Sequence, residues 1–198
     1  MTDIARPGFI GTGVITEAMI NGLIRADWPM DEVLVSRRGR ETSQRLARAD
    51  GRVRVLDDNQ AIVDSADLVV LAVRPQVAQE VLSALHFRPG QRVLSLIAML
   101  PVDRLQEWLG VSVRITRAIP LPSVAQCQGV TAIHPPARDI AALFSALGRA
   151  VPASSREEFD AYAVGSAVMA TCFGMFGTIA GWMEAQGVAI EAHLDKGR

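Results

Sequence analysis

Two glycines near the start of the chain, Gly11 and Gly13, have the type and spacing for binding the phosphates of a dinucleotide. They stand between an apolar run and a segment predicted to be helical, from Glu17 to Ala26. Gly11 permits a tight strand-to-helix turn, and Gly13 lets the backbone approach a pyrophosphate that the helix N-terminus attracts. Thr16 occupies the place where this motif normally has a third small residue. An ordinary glycine turn is the alternative; the position between a strand and a helix favours the nucleotide site.

A second group of candidate residues follows the next predicted strand, which runs from Glu32 to Ser36. An NAD-preferring site usually has an acidic residue here, roughly 20 residues beyond the glycines, to bind the ribose 2′-hydroxyl. This chain instead has Ser36 followed by Arg37 and Arg38. A hydroxyl and forked guanidinium donors suit a 2′-phosphate, so the pattern predicts NADP, with NADPH preferred over NADH. A solvated basic turn is the alternative.

Strand-like and helix-like segments alternate after the glycine turn, as a doubly wound parallel sheet requires. The clearest buried strand is Asp67 to Val73, which Pro75 ends, and Val130 to Ile133 is predicted as an edge strand. The predicted fold class is α/β, with a Rossmann-type domain over residues 1–152 and an all-helical dimerisation segment over residues 153–198. Ligands of such sheets bind at the carboxyl ends of the strands.

The composition is that of a folded protein with a substantial core, since 49% of the 198 residues are hydrophobic and the net charge is −1. This balance argues against nucleic acid as a partner and favours a small-molecule substrate. The two cysteines and three histidines have no metal-ligand spacing, so no metal site is predicted. The small number of cysteines and the lack of a signal-peptide pattern predict a reduced, cytoplasmic protein.

One long apolar segment, Ala161 to Met183, contains no charged residue. Its length would allow a membrane span, and Gly177 and Gly181 have the spacing that lets helices approach closely. No cluster of basic residues flanks it, and a nucleotide-binding domain precedes it, which favours a helix buried between subunits. We therefore expect a homodimer or larger homo-oligomer and no membrane partner.

Several of these motifs together resemble the pyrroline-5-carboxylate reductase family, and the resemblance covers almost all of residues 4–190. The most specific is the run Leu71-Ala72-Val73-Arg74-Pro75-Gln76 after a strand. The other matching motifs are Gly8 to Gly13, Ser36 to Arg38, Asp58-Asn59, Ala66-Asp67, Leu94-Ser95, Val113-Arg114 and Arg117 to Pro120.

The resemblance implies NAD(P)H-dependent reduction of a cyclic imine to proline, with oxidoreductase activity on a C=N bond. It also implies that Asn59 lies at the adenosine portion of the cofactor and that Ala72 to Pro75 and Ile119-Pro120 line its nicotinamide end. The cofactor-binding residues expected in all are Gly8, Gly11, Thr12, Gly13, Val14, Ile15, Ser36, Arg37, Arg38, Asn59, Ala72, Val73, Arg74, Pro75, Ile97, Ala98, Ile119 and Pro120.

Catalytic side chains are left unassigned, because a protonated imine is already electrophilic and the protein mainly has to align the reactants and exclude water. Arg74 and Arg117 are candidates for attracting a substrate carboxylate, although a structural or solvated role is favoured for each. Two alternatives stay open: an NADP-dependent oxidoreductase of another imine or carbonyl compound, and a non-catalytic NADP-binding protein.

Those alternatives arise because the chain departs from the family in the expected substrate half. It has Pro120-Leu121-Pro122-Ser123 where the family has Pro-Asn-Thr-Pro, and Ala98-Met99 where the family has Ala-Gly. The family's Ser-Gly-Ser-Gly-Pro-Ala loop is not recognisable at Met169 to Gly174. The sequence given ends at Arg198, so the helical domain is expected to be short relative to the family.

Overall fold

The computed structural model describes residues 4–188, which divide into two compact units after Phe159. The strands β1 to β8 are Pro7–Ile10, Val33–Ser36, Val53–Leu56, Leu68–Leu71, Arg92–Ser95, Arg114–Ile119, Gly129–His134 and Gly148–Pro152. The helices α1 to α7 are Val14–Arg25, Arg40–Ala49, Asn59–Ser65, Pro75–Ser83, Val102–Leu109, Arg138–Ala146 and Arg156–Ala185, and a 3₁₀ helix spans Pro122–Gln126.

The strands form one eight-stranded sheet in the order β3-β2-β1-β4-β5-β6-β7-β8. Every neighbouring pair is parallel except β6 and β7, which are antiparallel. The order reverses beside β1, which lies between β2 and β4, and this reversal is the topological switch point where doubly wound folds bind ligands. Pro7 is tolerated in this central strand because it is the first residue of β1.

The sheet is buried on both faces, which accounts for the continuous apolar runs in its strands. Phe9 packs in a core cluster with side chains from α1, α2 and α6. Ile10, the next residue along β1, packs in a separate cluster with side chains from α3, α4 and α5. Helices therefore cover both faces, and the predicted Rossmann-type α/β fold is confirmed.

Two local predictions need correction, and one strand, β8, was not predicted. Helix α1 begins at Val14, because Gly13 already serves as its N-cap, and not at Glu17. The predicted edge strand Val130 to Ile133 lies inside the sheet as part of β7, because β8 pairs with it along its outer side. Strand β8 has a glycine at one end and a proline at the other, and such a sequence gives little strand signal.

Helix α7 begins directly after Ser155, whose hydroxyl oxygen accepts a hydrogen bond from the Glu158 amide at 3.2 Å. Its length and its mean hydropathy of 1.6 would suffice to cross a membrane, a weak criterion that core helices of soluble proteins also meet. Many of its large apolar side chains are exposed, among them Phe173, Phe176 and Trp182. The part of the predicted helical segment from residue 189 onward lies outside the described residues.

Candidate dinucleotide-binding site

The glycine turn joins β1 to α1 at the carboxyl edge of the sheet. Gly11 has a φ of +99°, and a Cβ atom there would lie 2.6 Å from the Ala72 carbonyl oxygen, so the fold itself requires glycine. Gly13 is exposed, and a Cβ atom built on it would meet nothing within 4 Å. The space in front of Gly13 is therefore open to a ligand at the N-terminus of α1.

Thr16 stabilises the turn from inside the protein. It is fully buried, and its hydroxyl donates a hydrogen bond of 2.7 Å to the Gly11 carbonyl oxygen. The third position of the glycine motif is thus occupied by a side chain that closes the turn, which explains why the motif departs from its usual form here.

Ser36 ends β2 with its side chain directed at the glycine turn. Its Oγ accepts a hydrogen bond from the Gly11 amide at 2.9 Å, and the Thr12 hydroxyl donates to the Ser36 carbonyl oxygen at 2.7 Å. The two hydroxyl oxygens are 3.2 Å apart. Because the Thr12 proton goes to the carbonyl, Ser36 is the donor between the hydroxyls. Ser36 is only 1% exposed, and the single proton of its hydroxyl is therefore used within the protein.

Gly39 packs the loop after β2 directly onto the glycine turn. Its φ is +86°, and a Cβ atom at this position would overlap the Thr12 carbonyl oxygen. The residue is also the N-cap of α2. This close approach, which the sequence analysis did not anticipate, holds the arginines of the loop beside the glycine turn.

The loop over residues 37–40, called the arginine loop below, contains three arginines that differ in their pairing. Arg37 forms an ion pair of 2.9 Å with Asp57, and both side chains are largely exposed. Within residues 4–188, the side chains of Arg38 and Arg40 have no hydrogen-bond or ion-pair partner. The loop therefore offers two uncompensated guanidinium groups to an anion.

A cavity of about 430 Å³ lies over the turn and the carboxyl ends of β1, β2 and β4. A second cavity of about 250 Å³ lies on the other side of the arginine loop. Arg38 lines the first cavity, whereas Arg37 and Arg40 line the second. The first is lined by Gly11, Thr12, Gly13, Arg38, Gly39, Ala72, Val73, Arg74 and Val77, and the second by Arg37, Arg40, Ser43, Gln44, Val55 and Asp57.

The first cavity brings together seven of the residues proposed from the sequence and adds Gly39 and Val77, which were missed. A glycine just before a helical segment was the available signal for Gly39. Gly8 lies inside β1, where a Cβ atom would come within 2.6 Å of the Ile62 side chain, so packing against α3 also accounts for it. Proposed residues outside the lining of both cavities are Gly8, Val14, Ile15, Ser36, Asn59, Pro75, Ile97, Ala98, Ile119 and Pro120.

The two arginines considered for a substrate carboxylate have different surroundings. Arg117 is only 6% exposed, and its guanidinium carbon lies 4.5 Å from the centre of the Phe159 ring. This stacking gives it a structural role. Arg74 is exposed, lies at the N-cap of α4 and lines the first cavity, so it is available to an anionic ligand.

The strand order and the glycine turn define a Rossmann-type fold, a class that binds dinucleotides at this edge of the sheet. The sequence model of a family described as NADP oxidoreductase, coenzyme F420-dependent, matches residues 6–99. Pyrroline-5-carboxylate reductase from Pseudomonas aeruginosa is 30% identical over 165 residues, which are 79% of this chain and 60% of that protein. The corresponding reductase from Methanosarcina acetivorans is 30% identical over 153 residues, 73% of this chain and 57% of that protein.

Solved structures agree with the fold. A pyrroline-5-carboxylate reductase from Coxiella burnetii has a TM-score of 0.76 at 23% identity, covering 96% of this chain and 73% of that one. The Plasmodium falciparum pyrroline carboxylate reductase, solved with NADP bound, has a TM-score of 0.73 at 17% identity, covering 97% and 73% of the two chains. In sequence and in fold, the chain is therefore similar to pyrroline-5-carboxylate reductases. The chain spans 60% or less of the length of the reductases from Pseudomonas aeruginosa and Methanosarcina acetivorans.

Proposed function

We propose that this protein is an NADPH-dependent reductase of a cyclic imine, with pyrroline-5-carboxylate as substrate and proline as product. The observation that carries the proposal is the interlocked pair of loops, in which Gly39 packs the arginine loop onto the Gly11–Gly13 turn. In this arrangement the open space at Gly13 lies beside guanidinium groups that have no partner among the described residues. The identity of the reaction is supported by the relatives named above.

The cofactor's parts are assigned by the chemistry of the chain's own groups. The amides at the N-terminus of α1 bind the pyrophosphate beyond Gly13. Arg38 and Arg40 bind the 2′-phosphate, since neither has a partner among the described residues. Ser36 acts indirectly by holding the turn, because it is buried and its only hydroxyl proton is donated to Thr12. Arg37 and Asn59 border the adenosine portion.

The bound cofactor supplies the hydride. Ala72 and Val73 then form an apolar wall beside the reacting end, which limits the access of water. Arg74 attracts the carboxylate of the substrate and orients the imine carbon toward the cofactor. No side chain has to deliver a proton during the hydride step when the imine binds in its protonated form.

The arginine assignment is tested by Arg38→Ala and Arg40→Ala, with dissociation constants measured for NADPH and NADH. Loss of a charge-assisted contact to the 2′-phosphate should weaken NADPH by roughly 10- to 100-fold and leave NADH nearly unchanged. Arg104→Ala is the matched control, because Arg104 is paired with Glu107 on α5 and lines neither cavity. Equal weakening of both cofactors would refute the 2′-phosphate assignment.

We also propose that a second copy of the chain covers α7, giving a cytoplasmic homodimer. Exposed aromatic side chains at Phe173, Phe176 and Trp182 leave an apolar surface that water would solvate poorly. Two free cysteines, Cys127 and Cys172, agree with a reducing compartment. Light scattering without detergent should give twice the mass of the chain. Phe176→Glu should lower this measured mass toward that of one chain. A monodisperse monomer of the unchanged protein would exclude the dimer.

A further inference from the structure

The first cavity is chemically polarised along the edge of the sheet. Its β2 side carries Arg38, whereas its β4 side carries the apolar side chains Val73 and Val77 and one charged side chain, Arg74, which is assigned above to the substrate carboxylate. The anionic parts of a dinucleotide match the first side. The apolar side therefore has to receive the uncharged ring at the other end of the molecule.

Two exposed apolar side chains outside the cavity lining follow strands at the same edge of the sheet. Within the described part of the N-terminal unit, the exposed large hydrophobic residues are Val14, Met99 and Val130. Val14 is the first residue of α1, directly after β1 and the glycine turn, and is 73% exposed. Met99 follows β5 and is 82% exposed. Burial of such side chains is favourable, so a ligand that covers them would be stabilised by the apolar contact.

The sheet order places these two residues on either side of one strand end. Strands β1 and β5 are the two neighbours of β4, whose carboxyl end leads into the cavity-lining residues Ala72 and Val73. Backbone hydrogen bonds tie both neighbours to this end: the Ala72 amide donates to Ile10 at 2.8 Å, and the Leu96 amide donates to Leu71 at 2.9 Å. Val14 and Met99 thus follow the two strands that neighbour β4, although neither lines the cavity itself.

The backbone of Met99 adds an independent observation. Its φ is +60°, in the left-handed region that favours glycine. A methionine kept in this conformation at an exposed position gains nothing from packing within its own unit. Strained residues of this kind concentrate at ligand-binding sites, where the side chain has a use that the fold alone does not give it.

We propose that Val14 and Met99 form an apolar clamp on the nicotinamide ring, and that this clamp positions the ring against the imine. The proposal rests on the proposed function. The clamp would hold the ring between the ends of β1 and β5 and exclude water from the face where hydride leaves. It makes no contact with the adenosine end, which Arg38 and Arg40 bind.

The test compares NADPH with adenosine 2′,5′-bisphosphate, which has the 2′-phosphate but no nicotinamide, using the full chain. Val14→Ala and Met99→Ala should each weaken NADPH by about 10-fold or more, the factor expected when two or more buried carbon groups are removed. Binding of adenosine 2′,5′-bisphosphate should be unchanged. Val130→Ala is the control, since it makes the same change at an exposed valine on β7, three strands from β4.

Met99→Gly separates the clamp from a structural role. Glycine suits the left-handed backbone, so the melting temperature should stay the same or rise while NADPH binding falls and the fluorescence of bound NADPH shifts toward that in water. Equal effects on both ligands, or no effect on NADPH, would overturn the clamp while leaving the proposed function in place. A wild-type chain that binds neither ligand would overturn both.

Discussion

Replacing Ser36 with alanine tests whether this residue supports the glycine turn or contacts the cofactor. The substitution removes the oxygen that accepts the hydrogen bond from the Gly11 amide. It also removes the proton that Ser36 donates to the Thr12 hydroxyl. Alanine fits the space of serine without its oxygen, so Ser36→Ala removes both bonds and leaves the strand intact.

The magnitude follows from the burial of the groups left behind. Ser36 is 1% exposed and Thr12 is 5% exposed, so water cannot readily replace the lost partners. A buried donor without an acceptor costs about 1–3 kcal/mol. At about 2–4 °C per kcal/mol for a domain of this size, the melting temperature should fall by roughly 4–8 °C for a loss near 2 kcal/mol.

The assay combines urea unfolding with the binding of NADPH and NADH. A loosened turn binds the pyrophosphate less well, and both cofactors have this group, so their affinities should fall by the same factor. Ser112→Ala is the control because Ser112 is exposed and its change should stay within about 0.5 kcal/mol. Unchanged stability together with a selective loss of NADPH would refute the reasoning and make Ser36 a direct ligand of the 2′-phosphate.

Two further substitutions test the site and the fold. Gly39→Ala should lower the free energy of unfolding by more than about 2 kcal/mol in urea, since it combines a left-handed backbone with an overlap on Thr12. Gly51→Ala is the control, because a Cβ atom there meets open space. Equal losses for the two variants would contradict the close packing of Gly39 on the glycine turn. Hydrogen bonds from Arg52 lower the pKa of Asp50. The ionised Asp50 therefore stabilises the folded protein at a pH above its ordinary pKa of 3.8, and this stabilisation is lost as the pH falls below that value. Asp50→Asn should therefore cost up to about 1 kcal/mol at pH 7 and less in acid, and a cost independent of pH would contradict this.

The glycine turn could be predicted because its determinants are local. Gly11 and Gly13 have fixed spacing, and the apolar segments that flank them indicate a strand and a helix. The alternation of strands and helices likewise follows from periodicity along the chain. The order of strands in the sheet then follows from the doubly wound pattern, apart from the antiparallel β7 and the unpredicted β8.

The roles of individual side chains depended on contacts between distant residues. Ser36 had the position of a ribose-binding residue in the sequence, but its hydroxyl meets an amide 25 residues earlier in the chain. Gly39 acts through its approach to Thr12, and no local pattern encodes that contact. The same holds for Arg117, whose stacking on Phe159 depends on where α7 begins.

The most direct test of the central proposal is NADPH oxidation by the purified chain with pyrroline-5-carboxylate, run in parallel with NADH. We expect oxidation that depends on the imine, is faster with NADPH, and yields one proline for each NADPH consumed. Binding of NADPH without any imine-dependent oxidation would contradict the proposed reaction and leave only the cofactor site.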